Sequence, residues 1–352
     1  AGVQALAALG AVEWIMWIVL GVSTGITQGF AILMAQDYGA QKWRKLKQTV
    51  AHSYRLTAMT AVLLFIISQA GAYWILTLLN TPDNIIGMSL LYLRIVFCGI
   101  PVVAAYNIFA SVLRSLGNSR TPLIAMVIAA IINIILDLIF VGQFHMNVAG
   151  AALATVIAQA FSAIYCFFAV RKIDIVHITR EDFQTVPGLN RKLLTLGTPI
   201  LFQDVIISVG GLVVQFVVNG YGFLFVAGFT ATNKLYGILE MAAISYGYAI
   251  VTYVGQNLGA EKITRIKRGV RASAVLAFLT SVFISMVMFI FGKRILTAFI
   301  SGDPSQTEQV LNIAWHYLSI MASVLFILYF LYVYRSALQG LGNTIIPMIS
   351  GI

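Results

Sequence analysis

Several stretches of this chain run for 19 residues or more without an Asp, Glu, Lys or Arg, among them Trp14–Gln36, Leu56–Pro82, Ile95–Leu113, Val148–Val170, Val205–Asn233, Ala272–Gly292 and Gln309–Tyr334. About 20 predominantly apolar residues in a helix cross a bilayer, so each run is long enough to span. Two further spans carry a charge: Thr121–Gly142 holds Asp137, and the run from Leu224 to Val254 holds Lys234 and Glu240. This predicts nine complete spans, with a tenth beginning near Pro347. Only 10% of the residues are charged and 60% are apolar, against about 25% charged in soluble domains. The chain reads as an all-α integral membrane protein.

The net charge of +10 invites a nucleic-acid reading, which its distribution opposes. Eighteen of the 22 basic residues lie in or beside alternate connections, in the clusters Lys42–Arg55, Arg114–Arg120, Arg171–Lys192 and Lys262–Arg271, and at Arg335. The intervening connections are almost free of them. This is the positive-inside pattern. It predicts a multi-pass protein of the cell inner (plasma) membrane with its basic loops in the cytoplasm, touching anionic lipid headgroups and no nucleic acid.

A loop motif occurs twice, 220 residues apart. Gln36-Asp37-Tyr38-Gly39-Ala40-Gln41-Lys42 returns as Gln256-Asn257-Leu258-Gly259-Ala260-Glu261-Lys262, each time after an apolar run and before a basic cluster. A second pair is offset by 225: Tyr92-Leu93, Ser111 and Leu116-Gly117-Asn118 to Pro122 match Tyr317-Leu318, Ser336 and Leu341-Gly342-Asn343 to Pro347. Six spans separate the two loop motifs, an even number, so the units are parallel and related by an axis along the membrane normal. The glycines of the Gln-x-x-Gly-Ala loops are expected to permit a sharp helix exit. The comparison of repeats predicts six helices per unit, with one helix preceding Ala1, which would lie in the short outer loop Ala1–Gly10, and two following Ile352. Residues 1–172 form the first lobe (helices two to six), 173–192 a surface linker, and 193–352 the second lobe.

Asp137 is the leading functional candidate. An ionised carboxylate deep in a membrane helix costs roughly 2.5–3.5 kcal/mol and is tolerated where it faces a cavity, binds a cation or takes up a proton. Asn133 lies four residues earlier on the same helix face, and an acid beside an amide oxygen suits Na⁺ or H⁺. A helix–helix hydrogen bond is the alternative. Tyr92 is either a cavity aromatic or an interfacial anchor. Asn107, beyond the expected kink at Pro101, lines a cavity or ties two helices. Glu240 is the better cavity candidate of the second unit; Lys234 is placed to snorkel, and Gln215 supplies a further polar point. Glu13 reads as a boundary residue and Asp204 as a helix-end charge. The histidines are scattered without metal-ligand spacing, and the dispersed acids do not pair as a catalytic acid and base, so neither a cofactor nor an enzyme is expected.

With Ala5-Leu6-Ala7-Ala8-Leu9-Gly10, the two Gln-x-x-Gly-Ala and two Leu-Gly-Asn loops, Asn133-x-x-Leu136-Asp137 and Gly150-Ala151-Ala152-Leu153-Ala154-Thr155, the chain resembles the multidrug and toxic compound extrusion (MATE) transporters, particularly their DinF-like branch. The resemblance implies two six-helix lobes in a V. It implies export of organic cations or amphiphilic drugs by Na⁺ or H⁺ antiport with alternating access, by a monomer. It implies a cation site at Asn133, Asp137 and Thr155, completed by a first-helix acid that would precede Ala1. It places Tyr92 at the first lobe's cavity. A lipid-linked-oligosaccharide or lipid flippase of the same superfamily is the competing reading. A polyanionic headgroup calls for several deep cations, and only Arg94 and Lys234 lie at membrane depth by sequence.

Overall fold

The computed structural model describes residues 3–79, 81–300 and 304–351. Its elements are helices, in the order α1 (Val3–Gly39), α2 (Trp43–Leu78), α3 (Asp83–Cys98), α4 (Ile100–Ser115), α5 (Arg120–Asp137), a π-helical turn (Leu138–Gln143), α6 (Asn147–Arg171), two 3₁₀ turns (Asp174–Val176 and Arg180–Phe183), α7 (Leu189–Asn219), α8 (Phe223–Gly259), α9 (Ile263–Leu296), α10 (Pro304–Gly340) and the short α11 (Ile345–Ile349). No strand occurs among the described residues. Among the described residues eight helices are long and apolar enough to cross a membrane, or nine if α3 and α4, bent by 42° at their junction, make one span. The bend sits at Gly99, two residues before Pro101. Pro101 has no N–H to donate back across that turn.

One expectation is corrected here. The helix begins at Val3, so Ala5–Gly10 is helical rather than an outer loop. Pro347 lies in the short helix α11, where a further span was expected to start.

The repeat is visible atom by atom. In the first loop motif Ala40 N–H donates to Gln36 O (3.0 Å), Gln41 N–H to Tyr38 O (3.0 Å) and Lys42 N–H to Asp37 O (3.1 Å); in the second, Ala260, Glu261 and Lys262 donate to Gln256, Leu258 and Asn257 at 3.0, 3.0 and 2.8 Å. The residue that turns the chain is not the glycine. Gln41 and Glu261, 220 positions apart, take the left-handed conformation with φ of 55° and 60°, while Gly39 and Gly259 are the last residues of their helices. In the Leu-Gly-Asn loops it is the glycine: Gly117 and Gly342 both have φ of 89°. The following asparagine side chain accepts from the next helix start, Asn118 from Thr121 N–H at 3.1 Å and Asn343 from Ile346 N–H at 3.2 Å. A side-chain oxygen on an otherwise unpaired N–H is the capping interaction.

The chain divides into two compact units, residues 1–208 with 342–352, and residues 209–341. In the first, Tyr92, Leu93, Val96, Phe97 and Ile100 pack against Val12, Ile15, Ala72, Leu76, Val148 and Ala152. In the second, Ala243, Ile250 and Val254 of α8 meet Leu325, Tyr329 and Val333 of α10, with Ala274 and Ala277 of α9. The outward faces are apolar where they meet lipid: Leu279, Phe283, Met286 and Ile290 on α9, and Val127, Ile131, Ile134 and Ile135 on α5, are exposed.

Within the first unit α1 and the start of α7 cross at backbone contact. Gly21, Gly25 and Gly29 lie four residues apart on one face of α1. A Cβ at Gly25 would stand 2.8 Å from Leu201 Cα, and one at Gly29 would collide with the backbone of Gly197. Small residues spaced by four let membrane helices approach this closely.

The linker is docked on α2. His52 of α2, 1% exposed, meets the Asn190 side-chain amide through Nδ1 at 2.6 Å and the Gln184 carbonyl through Nε2 at 3.0 Å. A carbonyl only accepts, so Nε2 carries a proton. Thr179 and Asp182 close a capping box on the second 3₁₀ turn. Replacing His52 by Ala removes both contacts to the linker, worth about 1 kcal/mol each because Asn190 is half-buried and Gln184 exposed. His52→Ala is therefore expected to raise the rate of limited trypsin cleavage at Arg180, Arg191 or Lys192 several-fold; an unchanged rate would show that the linker is held by other contacts.

Candidate functional site

Asp137 is the last residue of α5, at the junction where the helix widens into the π-helical turn Leu138–Gln143. Such turns break the regular ladder and occur often at functional positions. Asp137 lies one and a half turns from the span's end at Gln143 rather than at the centre of the membrane helix. Asp137 Oδ1 and Asn133 Nδ2 are both buried, and neither meets a hydrogen-bond partner among the described residues. Buried polar atoms are almost always paired, so two such atoms four residues apart on one helix face mark a place built for something else. Oδ1 makes no helix–helix hydrogen bond among the described residues.

Thr155 stands on α6, which packs along α5, and its hydroxyl donates to Ala151 O at 2.9 Å. Its oxygen retains lone pairs, as a cation ligand requires. Tyr92 is 8% exposed, inside the core of the first unit, and lies within electrostatic reach of Asp137 and Glu13. It packs in the core with Val12, Ile15 and Leu76.

Asn107 proves to be a helix tie. Its side-chain amide donates to Thr24 Oγ1 at 3.2 Å, joining α4 to α1. Thr24 also donates to Leu20 O, so it keeps a partner if Asn107 is lost. Interhelical hydrogen bonds in membranes average about 0.6 kcal/mol. Asn107→Leu is expected to lower stability by about that amount and to leave transport intact, checked by thermal unfolding in detergent beside an efflux assay.

The second unit repeats this tie with different chemistry. Tyr332, 225 positions after Asn107, donates its hydroxyl to Glu240 Oε1 at 2.8 Å, joining α10 to α8. Tyr317, the counterpart of Tyr92, donates to Asn233 Oδ1 at 3.3 Å, and Asn233 is the counterpart of Glu13. Arg335, grouped with the basic loops by sequence, lies within α10 with its guanidinium 4.4 Å from the Tyr332 ring centroid. Sequence reasoning missed Tyr332 because aromatics are abundant in every span. The repeat offset that pairs Asn107 with Tyr332 was the available signal. Gln215 donates to Asn219 Oδ1 on its own helix at 2.8 Å, in the compact unit that does not contain Asp137.

The family model MatE matches residues 1–139 and 199–352. The chain belongs to the MatE family. Among curated relatives, this MatE protein is 28% identical over 308 residues to a probable multidrug resistance protein, YoeA, of Bacillus subtilis, covering 85% of this chain and 66% of that one. It is 25% identical over 357 residues to the probable multidrug resistance protein NorM of Thermotoga maritima, covering 98% and 74%. Among solved structures, a MOP superfamily transporter from Pyrococcus furiosus, described as having a binding pocket of reverse polarity, superposes with a TM-score of 0.94 at 19% identity over 100% of this chain and 78% of that one. An outward-facing multidrug resistance MATE family transporter gives 0.93 at 19% with the same coverage. The helical membrane fold and the family expected from the sequence are both met. The MatE protein described by these residues spans about two thirds of the length of its Bacillus relatives.

Proposed function

We propose that this MatE protein is a secondary transporter that exports organic cations or amphiphilic drugs across the inner membrane in exchange for Na⁺ or H⁺. The observation that carries the proposal is the unpartnered pair of buried atoms, Asp137 Oδ1 and Asn133 Nδ2, beside the π-helical turn. The names of the multidrug relatives support the substrate class.

In this reading Asp137 holds the coupling ion. Empty and ionised, the carboxylate costs free energy in the membrane; a bound Na⁺ or a proton removes that cost. Asn133 supplies an amide oxygen and Thr155 a hydroxyl oxygen, the hard ligands Na⁺ takes. Tyr92 sits near enough to respond to the charge on Asp137. Each ion bound thereby shifts the balance between conformations by its differential affinity for them. The lobes are residues 1–172 and 193–352 joined by the 173–192 linker, the branch is the DinF-like one, and the protein works as a monomer with its basic loops in the cytoplasm.

The test is dye efflux by the full-length protein in everted vesicles, with Na⁺ and pH gradients imposed separately. Efflux under one gradient names the ion. No gradient-dependent movement under either would overturn the proposal.

A further inference from the structure

A charged residue of the first unit lies on an outward face, and the ion-coupling step does not use it. Beyond the first turn of α3 the exposed residues are Gly87, Leu91, Arg94 and Cys98. Their spacing puts them in one stripe along the helix. Gln69 of α2 donates its side-chain amide to Arg94 O at 2.9 Å and to Cys98 Sγ at 3.3 Å. Within two turns of Gln69, Leu63, Ile66 and Ile67 of α2 are each more than half exposed. The surface around Arg94 is therefore apolar.

Gln69 also fixes the depth. It lies 13 residues from either end of the charge-free run Leu56–Pro82, about 20 Å along the helix in each direction. The Arg94 backbone bonded to it stands at the same level, near the middle of the span. Charged side chains at this depth almost always face the protein interior or a water-filled cavity. Arg94 lies on the outward stripe instead, and among the described residues its guanidinium has no hydrogen bond, ion pair or ring contact. Nor does a guanidinium escape the cost by losing its proton. It needs an anion.

The fold does not demand this charge. At the offset of 225 Arg94 corresponds to Ser319, whose hydroxyl returns to Trp315 O on its own helix at 2.7 Å. At the loop-motif offset of 220 Gln69 corresponds to Phe289, which is exposed. The second unit builds the same pair of helices without a cation.

We propose that Arg94 holds the phosphate of an anionic phospholipid against the α2–α3 surface, beside the bend at Gly99. Whatever reaches Arg94 across this surface must bring a negative group and hydrocarbon together, which a phospholipid does. The guanidinium fork matches two phosphate oxygens at once. A helical side chain leans toward the N-terminus of its helix, and α3 starts on the side away from the basic cluster that opens α2. The lipid therefore comes from the leaflet opposite the basic loops. It is a bound partner of the first unit, not cargo.

The experiment reconstitutes the full-length protein in phosphatidylcholine liposomes with a trace of phosphatidylglycerol carrying a photoreactive acyl chain, and maps the labelled peptides by mass spectrometry. Diacylglycerol with the same chain is the probe without phosphate. Labelling of α2 and α3 is normalised to that of the apolar α9 face at Leu279–Ile290. For the wild type, phosphatidylglycerol is expected to exceed diacylglycerol by at least about fivefold, as hydrogen bonds to a charged group allow. Arg94→Gln should bring the two probes level, and Arg94→Lys should fall between, because an ammonium keeps the charge without the fork. Labelling at the basic loops should stay constant, which reports intact insertion. Soluble glycerol phosphate should not displace the probe. Equal labelling by the two probes in the wild type overturns the inference, as does equal phosphatidylglycerol labelling of wild type and Arg94→Gln. Displacement by glycerol phosphate also overturns it, by assigning Arg94 to a soluble anion. If Arg94→Gln fails to fold, the two probes on the wild type decide alone.

Discussion

Asp137→Asn is expected to abolish gradient-driven efflux while leaving the protein inserted and folded. The substitution keeps the shape of the side chain and replaces an ionisable oxygen with an amide nitrogen. What it removes is the difference between two charge states. That difference is worth at most roughly 2.5–3.5 kcal/mol, the cost at the centre of a span, and at about 1.4 kcal/mol per factor of ten its loss corresponds to a drop of up to about a hundredfold in the driven rate. The fold should tolerate the change, because Asp137 Oδ1 makes no hydrogen bond whose loss would be felt. Everted vesicles with separate Na⁺ and pH gradients read the rate, and size-exclusion profiles read the folding. Unchanged efflux would return Asp137 to a packing role and move the coupling step to another acid.

The second large effect belongs to a residue without a side chain. Gly29→Leu should prevent the normal crossing of α1 and α7. At most helix positions an added side chain pushes on the flexible ends of its neighbours and costs about 1–3 kcal/mol. At Gly29 the obstruction is the backbone of Gly197 and the carbonyl carbon of Leu196 at 2.7 Å, which has no rotamer to change. The loss is therefore expected at or above about 3 kcal/mol, seen as a collapse in the yield of monodisperse protein and a lowered unfolding temperature. Gly29→Ala should fall part-way, because even a methyl group meets that backbone. Gly87→Ala makes the control, since nothing lies within 4 Å of its Cβ position. A Gly29→Leu protein as stable as wild type would show that the two helices do not need this approach.

Ion pairs and polar ties divide along the same line between what pattern reveals and what packing decides. Asp37 and Asn257 occupy equivalent places in the two loop motifs, yet Asp37 accepts Thr49 Oγ1 at 2.7 Å with Lys192 in electrostatic reach, while Asn257 only donates back to Tyr253 O on its own helix. The linker, with its Asp174, Glu181 and Pro187, has the composition of an interfacial or surface stretch, and His52 fastens it to α2.

The sequence by itself determined the helical membrane class, the count of spans and the internal repeat. Those follow from periodic exclusion of charge over 19 residues or more and from motif spacing, both of which are linear properties of the chain. It also singled out Asp137 and Asn133, because a charge inside an apolar run is costly wherever the run packs. The spacing of Gly21, Gly25 and Gly29 was there to be seen as well, but a face of small residues does not name the helix it receives. Only the tertiary structure supplied Gly197 as that partner, and only it placed Asn107 against Thr24, Tyr332 against Glu240, and Arg335 on Tyr332. The reason is physical. Membrane insertion depends on what each segment contains, whereas a hydrogen bond or a close crossing depends on which two distant segments lie within 3 Å of each other, and in a chain whose spans are nearly uniform in composition that choice is made by packing alone.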